Sequence, residues 1–252
     1  MTRTYKQPSL MEMLFEETTD GGRLEQLRAI TTKWLSSGAR NLEILGLQLR
    51  KQLNLSYINK GAGRYVYSFD DTTVIKVAKE NTSQNASEVK SLECLSDLKL
   101  DNLAPKLIDF DRQLPYAWIL VEKVKPLNQQ QFLNYFFRYF NLKENPNFDF
   151  YANPYSTYED FHEFFSDLFT AESSFIRHYG DVFLDRTTSQ VISGKELFER
   201  LNKTELIKRI DMMRTACDFI SVNDLHANNW GIGTDGNLVI LDLGFDEDDF
   251  EI

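Results

Sequence analysis

The apolar residues of this chain keep one period up to Leu53 and another from Leu55 onward, and that change restricts the fold more than any other feature. Before it, Leu24, Leu27, Ile30 and Trp34 recur at helical intervals, Gly38 interrupts, and Leu42, Leu45, Leu49 and Leu53 resume the stripe. Such spacing gives each of two helices one apolar face, so residues 9 to 53 read as a helical packing appendage. After it come short β-branched and aromatic runs: Tyr57 and Ile58; Tyr65, Val66, Tyr67 and Phe69; Val74, Ile75 and Val77. Gly61, Gly63 and the Asp70, Asp71 turn divide them. They predict a strand, loop, strand, turn, strand meander. Asn81 to Leu98 returns to helical spacing, with Thr82 and Ser83 as candidate N-caps and Val89, Leu92 and Leu95 on one face. Leu107 to Phe110 and Tyr116 to Val121 then predict two more strands around Pro115, so one helix should pack on a small antiparallel sheet.

Beyond Pro126 the strand signal is missing until Trp230. The stretch from Phe132 to Phe183 holds 12 of the 19 Phe and 6 of the 11 Tyr, which predicts a helical lobe with a thick core or a large recognition surface. Asn145 to Pro154 should be a loop within it. A helix is expected to end near Phe219. Trp230 to Gly233 and Leu238 to Asp242 should then pair as a hairpin over Thr234, Asp235, Gly236 and Asn237, because Asp-Gly between apolar runs is a strong hairpin signal. The acidic run from Asp246 to Glu251 reads as a solvated terminus.

Composition removes several classes of function. Against 38 Asp and Glu stand 28 Lys and Arg, a formal charge of -10 that repels a phosphate backbone, so nucleic acid is not an expected partner. Met1 to Leu10 has no apolar signal region, and the longest apolar runs, such as Trp118 to Val121 and Leu238 to Leu241, are strand-sized. No membrane span and a cytoplasmic location are therefore expected. Cys94 and Cys217 stand far apart without a CxxC pair, and His162, His178 and His226 share no ligand spacing with them. This argues against structural zinc and a disulfide framework, and both cysteines read as core packing.

The chemistry concentrates in Val222, Asn223, Asp224, Leu225, His226 and the residues to Gly231, followed after the hairpin by Leu241, Asp242, Leu243 and Gly244. Asp224 on a loop suits a base that accepts a proton from an attacking hydroxyl, while Asn229 and Asp242 suit oxygen ligands of Mg2+. Magnesium takes few protein oxygens and completes its shell with phosphate oxygens and water, so the expected ligand is a metal-bound nucleotide. In these motifs the sequence resembles the protein-kinase-like superfamily: Asp224 matches the catalytic-loop Asp, Asn229 its partner, and Asp242-Leu243-Gly244 the Asp-Phe-Gly motif with Leu in the middle. The first half contains the remaining parts in order. Gly61, Ala62 and Gly63 match a phosphate-covering loop, and Lys76 in Thr73 to Lys76 matches the strand lysine. Glu88 matches its helix partner, although a solvated helix Glu is common and Glu93 is nearby.

The resemblance implies a two-lobed α+β kinase-like fold: a helical appendage (1–53), an N-lobe (54–125) and a helical C-lobe (126–252). It also implies ATP and Mg2+ as cofactors, with main-chain groups of Glu122 to Val124 facing adenine. The implied reaction moves the γ-phosphoryl group to a hydroxyl, with a protein Ser or Thr favoured slightly over a small molecule on account of the aromatic insertion. Some residues depart from the pattern. Val222 and Asn223 replace the usual His and Arg. His226 stands where protein-serine kinases usually carry Lys, and Asp-Leu-His is more reminiscent of small-molecule kinases, including those acting on aminoglycosides. Eight residues follow Gly244, so no activation segment is expected, as in compact kinase-like proteins of bacteria and their viruses. A nucleotide-binding pseudokinase acting as an interaction module, and an enzyme transferring AMP, are the competing readings.

Overall fold

A computed structural model describes residues 22–61, 63–114, 116–148, 161–217, 220 and 225–243. Five strands, β1 (Ser56–Lys60), β2 (Arg64–Ser68), β3 (Thr73–Ala78), β4 (Leu107–Phe110) and β5 (Trp118–Glu122), form an antiparallel sheet in the order β1-β2-β3-β5-β4. Side chains alternate between the faces of a strand, and the residues of β3 and β5 obey that rule strictly. Ile75, Val77, Trp118 and Leu120 pack with Leu27, Trp34, Leu42, Leu45 and Leu49 of two helices, α1 (Arg23–Ser36) and α2 (Leu42–Gln52). Ile119 and Val121 point the other way, to Val89, Leu92 and Leu95 of α3 (Ser83–Asp97). Lys76, between Ile75 and Val77, therefore lies on the face that α3 covers.

Leu27, Trp34, Leu42, Leu45, Leu49 and Leu53 of the stripes read from the sequence are buried, with Leu24 and Ile30 partly buried beside them, and the helices that carry them cover β3 and β5 on one face. Polar contacts fix them there: Trp118 Nε1 donates to Thr31 Oγ1 at 3.0 Å, and Arg28 pairs with Asp109 at 2.7 Å. At the start of α3 the capping differs from expectation. Neither Thr82 nor Ser83 caps with its own hydroxyl; the Asn81 side-chain oxygen accepts from the Ser83 N–H at 3.2 Å and from its hydroxyl at 2.6 Å.

The second lobe contains α4 (Gln129–Tyr139), α5 (Phe161–Thr170), α6 (Glu172–Tyr179), α7 (Gly194–Asn202) and α8 (Glu205–Ala216). A reciprocal Asn128 and Gln131 capping box opens α4. Phe132, Phe136, Phe164, Phe165, Phe175, Tyr179 and Phe183 are fully buried, and Trp230 stacks on Phe132 at 5.2 Å between centroids. The aromatic segment is thus core for these rings, and the recognition-surface reading loses them. Two strands in this lobe were not expected: β7 (Leu142–Glu144) pairs with β8 (Phe183–Asp185). Three residues are too few to express a period of two.

Asp185 ends β8 under the Thr188 N–H and the Arg200 guanidinium, which hold its carboxyl down at about 2 against an ordinary 3.8. Its folded value lies below the unfolded one, so its contribution to stability is present above the ordinary value and disappears as pH falls towards 2. A carboxyl NMR titration should place the Asp185 midpoint near 2, and Arg200→Ala should raise it.

The cysteines correct the sequence reading most sharply. Cys94 on α3 is bonded to Cys217 just beyond α8, across 123 residues and a Cα separation of 6.4 Å. Spacing along the chain carries no information about such a contact, which arises only when the two lobes dock. Among the described residues no helix is long and apolar enough to cross a membrane.

Candidate nucleotide and metal site

The glycine turn between β1 and β2 is drawn towards α3. The Gly61 N–H donates to Arg64 O at 3.0 Å, the Lys79 N–H donates to Gly63 O at 2.9 Å, and the Lys79 ammonium donates to Gly61 O. A Cβ on Gly63 would come within 2.9 Å of Gln84 Oε1, the far end of a flexible side chain on α3. Ala62 lies outside the described residues.

Behind the turn, three buried charges meet a fourth that is partly exposed. Lys76 Nζ donates to Glu88 Oε1 at 2.5 Å, and the other Glu88 oxygen accepts from the Arg64 guanidinium. A second Arg64 nitrogen reaches Asp242 Oδ1 at 2.9 Å. Asn85, one helical turn before Glu88, fastens α3 to the sheet: its Nδ2 donates to Tyr116 O at 2.9 Å and to Lys76 O at 3.3 Å. Burial pushes the Glu88 carboxyl up, yet the neighbouring Arg64 and Lys76 charges outweigh it and hold Glu88 below the usual range. The Lys76 ammonium is pushed down, by burial first and by Arg64 next, with Glu88 and Asp242 offsetting only part. Burial opposes the Arg64 charge, but Glu88 and Asp242 override it and raise its pKa. Glu93 is exposed, so Glu88 is the partner of Lys76.

The opposite wall is the hairpin of β9 (Trp230–Ile232) and β10 (Leu238–Ile240), which pairs along its other edge with β6 (Lys125–Pro126). Its turn is the expected one: Gly236 sits at φ +81, and the Asp235 carboxylate accepts from the Asn237 N–H at 2.9 Å. At the open end, Ala227–Asn229 makes one 3-10 turn, and the Leu241 N–H donates to Asn229 O at 2.7 Å. That bond brings Asn229 and Asp242 to the same end of the hairpin. Leu241 O in turn accepts from Lys76 Nζ at 3.4 Å, joining this end to the lysine.

Asn229 and Asp242 are hard oxygen donors, two in number, and the Asp242 side chain is 38% exposed, which suits an ion that keeps water and phosphate oxygens in its shell. The residues present therefore fit Mg2+, although one Asp242 oxygen is engaged by Arg64. Asp224 and Gly244 lie outside the described residues.

At the link between the lobes the Glu122 N–H is committed to Lys106 O at 2.9 Å, and its carboxylate accepts from the Thr234 hydroxyl at 2.7 Å. The Lys123 N–H donates to Thr72 O at 2.7 Å. Of the main-chain groups expected to face adenine, the N–H groups of Glu122 and Lys123 are thus engaged within the protein.

Sequence reasoning missed Arg64 and Asn85. Register was the available signal for the first, since Val66 pairs with Lys76 and Arg64 shares the phase of Val66, placing a charge on the α3 face. For the second it was the Asn85-x-x-Glu88 spacing, which puts both side chains on one side of α3.

No family model matches the chain, and no curated protein matches it at a significant level. Among solved structures it is similar to SAICAR synthase from Saccharomyces cerevisiae complexed with SAICAR, with 14% identity, 77% of this chain and 74% of that one covered, and a TM-score of 0.34. It is also similar to an ADP-bound aminoglycoside phosphotransferase, with 16% identity, 78% and 68% covered, and a TM-score of 0.35. A third is choline kinase LicA from Streptococcus pneumoniae, with 12% identity, 79% and 67% covered, and a TM-score of 0.30. A five-stranded antiparallel sheet whose central strand is ion-paired to one helix through Lys76 and Glu88, set before a helical lobe that carries the Asn229 and Asp242 hairpin, is the α+β arrangement expected from the sequence.

Proposed function

We propose that this chain transfers the γ-phosphoryl group of ATP to a hydroxyl acceptor. The observation that carries the reading is the buried Lys76 and Glu88 pair, held beside Asp242 at the open end of the hairpin. A buried ammonium is costly without a partner, and the Glu88 carboxylate fixes this one near Asp242, where phosphate oxygens of a metal-bound nucleotide would meet it. In this reading Lys76 holds the phosphates, the glycine turn covers them, and Val124 receives adenine. Asn229 and Asp242 hold magnesium, which when bound neutralises phosphate charge. Asp224 orients the acceptor hydroxyl and takes its proton as the bond from γ-phosphorus to ADP breaks and the new P–O bond forms.

The preference for a protein Ser or Thr rested on the aromatic segment as a docking platform. Its fully buried rings belong to the core instead, so we favour a small-molecule hydroxyl, in keeping with Asp224-Leu225-His226. ATP labelled separately at the α and γ positions, incubated with a pool of hydroxylated small molecules and with a protein extract, tests this. Label from γ in the small-molecule fraction supports it; label from γ in protein restores the first acceptor. Label from α means AMP transfer, and no transfer at all leaves a nucleotide-binding module. Lys76→Met should raise KM for ATP and reduce turnover strongly, whereas Asp224→Asn should keep nucleotide affinity and lower kcat by about 100-fold or more. Parent-like activity in both variants would remove the mechanism.

A further inference from the structure

Arg64 has no part in the mechanism above, yet it is among the most enclosed charges in the molecule, with a side chain 5% exposed. A guanidinium so placed must be neutralised, and it is neutralised twice, by Glu88 from α3 and by Asp242 from the hairpin, with Asn85 Oδ1 at 3.5 Å beside it. Two consequences follow. Glu88 faces two cations, so it keeps a partner when Lys76 turns to phosphate oxygens. Asp242 faces a fixed cation on the oxygen nearest the lobe above, so any metal ion approaching Asp242 meets a positive charge already in place.

We propose that Arg64 is a positioning residue that occupies Asp242 in the nucleotide-free protein, competes there with Mg2+, and remains on Glu88 when the metal-bound nucleotide takes Asp242. This rests on the nucleotide reading given above. The exchange is balanced in charge: Lys76, Arg64, Glu88 and Asp242 sum to zero before it, and afterwards the phosphates compensate Lys76, Glu88 keeps Arg64, and the metal compensates Asp242. A lysine in place of Arg64 has one donor group rather than a planar fork and cannot serve two carboxylates on different elements as well. The competition should thus be weakened by any substitution that removes the fork.

Equilibrium ADP binding, measured by calorimetry over a Mg2+ series without any acceptor, tests the proposal. Arg64→Gln should lower the half-saturating Mg2+ concentration by about 10-fold, with Mg2+-free ADP affinity changed by less than about 2-fold. Arg64→Lys should lower it by a smaller factor, and this variant serves if Arg64→Gln fails to fold. A half-saturating concentration equal to or above that of the parent overturns the proposal while leaving the nucleotide reading intact. A parent protein that binds no ADP at any Mg2+ concentration overturns both. A purely structural Arg64 would lower thermal stability and leave the Mg2+ dependence unchanged, which also counts against the competition.

Discussion

Glu88→Gln should destabilise the fold by roughly 3–5 kcal/mol, beyond any effect on turnover, because it leaves two buried cations facing a neutral amide. The sequence alone gives Glu88 the lesser role of orienting Lys76. Among the described residues it is the carboxylate that bonds both Lys76 and Arg64, which sit on adjacent strands of one face. Removing one member of a buried ion pair is costly because the other remains charged and out of water. Urea denaturation followed by tryptophan fluorescence should show the midpoint falling with an unchanged slope. Glu93→Gln is the matched control on the same helix. Exposed and outside the cluster, it should stay within about 0.5 kcal/mol of the parent. Equal losses at the two positions would mean that the cluster is not neutralised through Glu88.

Breaking the disulfide should cost about 4 kcal/mol. In the chain-entropy account a crosslink stabilises by restricting the unfolded ensemble, and the 123-residue separation of Cys94 and Cys217 falls where that account gives its larger values. Cys94→Ala together with Cys217→Ala, compared with the oxidised parent by denaturant melts, isolates the effect. Alkylation of two thiols in the folded parent without reductant would show that the crosslink is not formed in solution and would remove the expected difference.

These two cases also mark where sequence reasoning reached and where it stopped. Lys76 and Glu88 were legible because both lie in strongly periodic elements, where alternation on β3 and the turn of α3 determine which way a side chain points. The Asp235 and Gly236 turn was legible because its dihedral demand is local. Arg64 and the disulfide depend on which elements meet after folding. Arg64 is a polar residue at the start of a strand and becomes remarkable in no local window, while Cys94 and Cys217 look like core residues by composition. The strands β7 and β8 failed for another reason: they are held by pairing with each other and by core burial of Leu142 and Phe183, with too few residues to show a pattern. The site was therefore readable as a set of residues in order, and its wiring was not.

That wiring limits how the two lobes can move. Bodies joined by a single strand segment, as Lys123 and Val124 join these, can rotate about it in any direction the chain allows. The Cys94 to Cys217 bond is a second covalent attachment between them, which restricts that rotation. The Arg64 to Asp242 pair is one of several non-covalent contacts between the lobes, beside Lys76 to Leu241 O, Thr234 to Glu122 and an apolar core that both lobes share. Of these contacts, the proposed transfer of Asp242 to a metal would release the Arg64 pair alone, so the disulfide and the shared apolar core would still hold the lobes together.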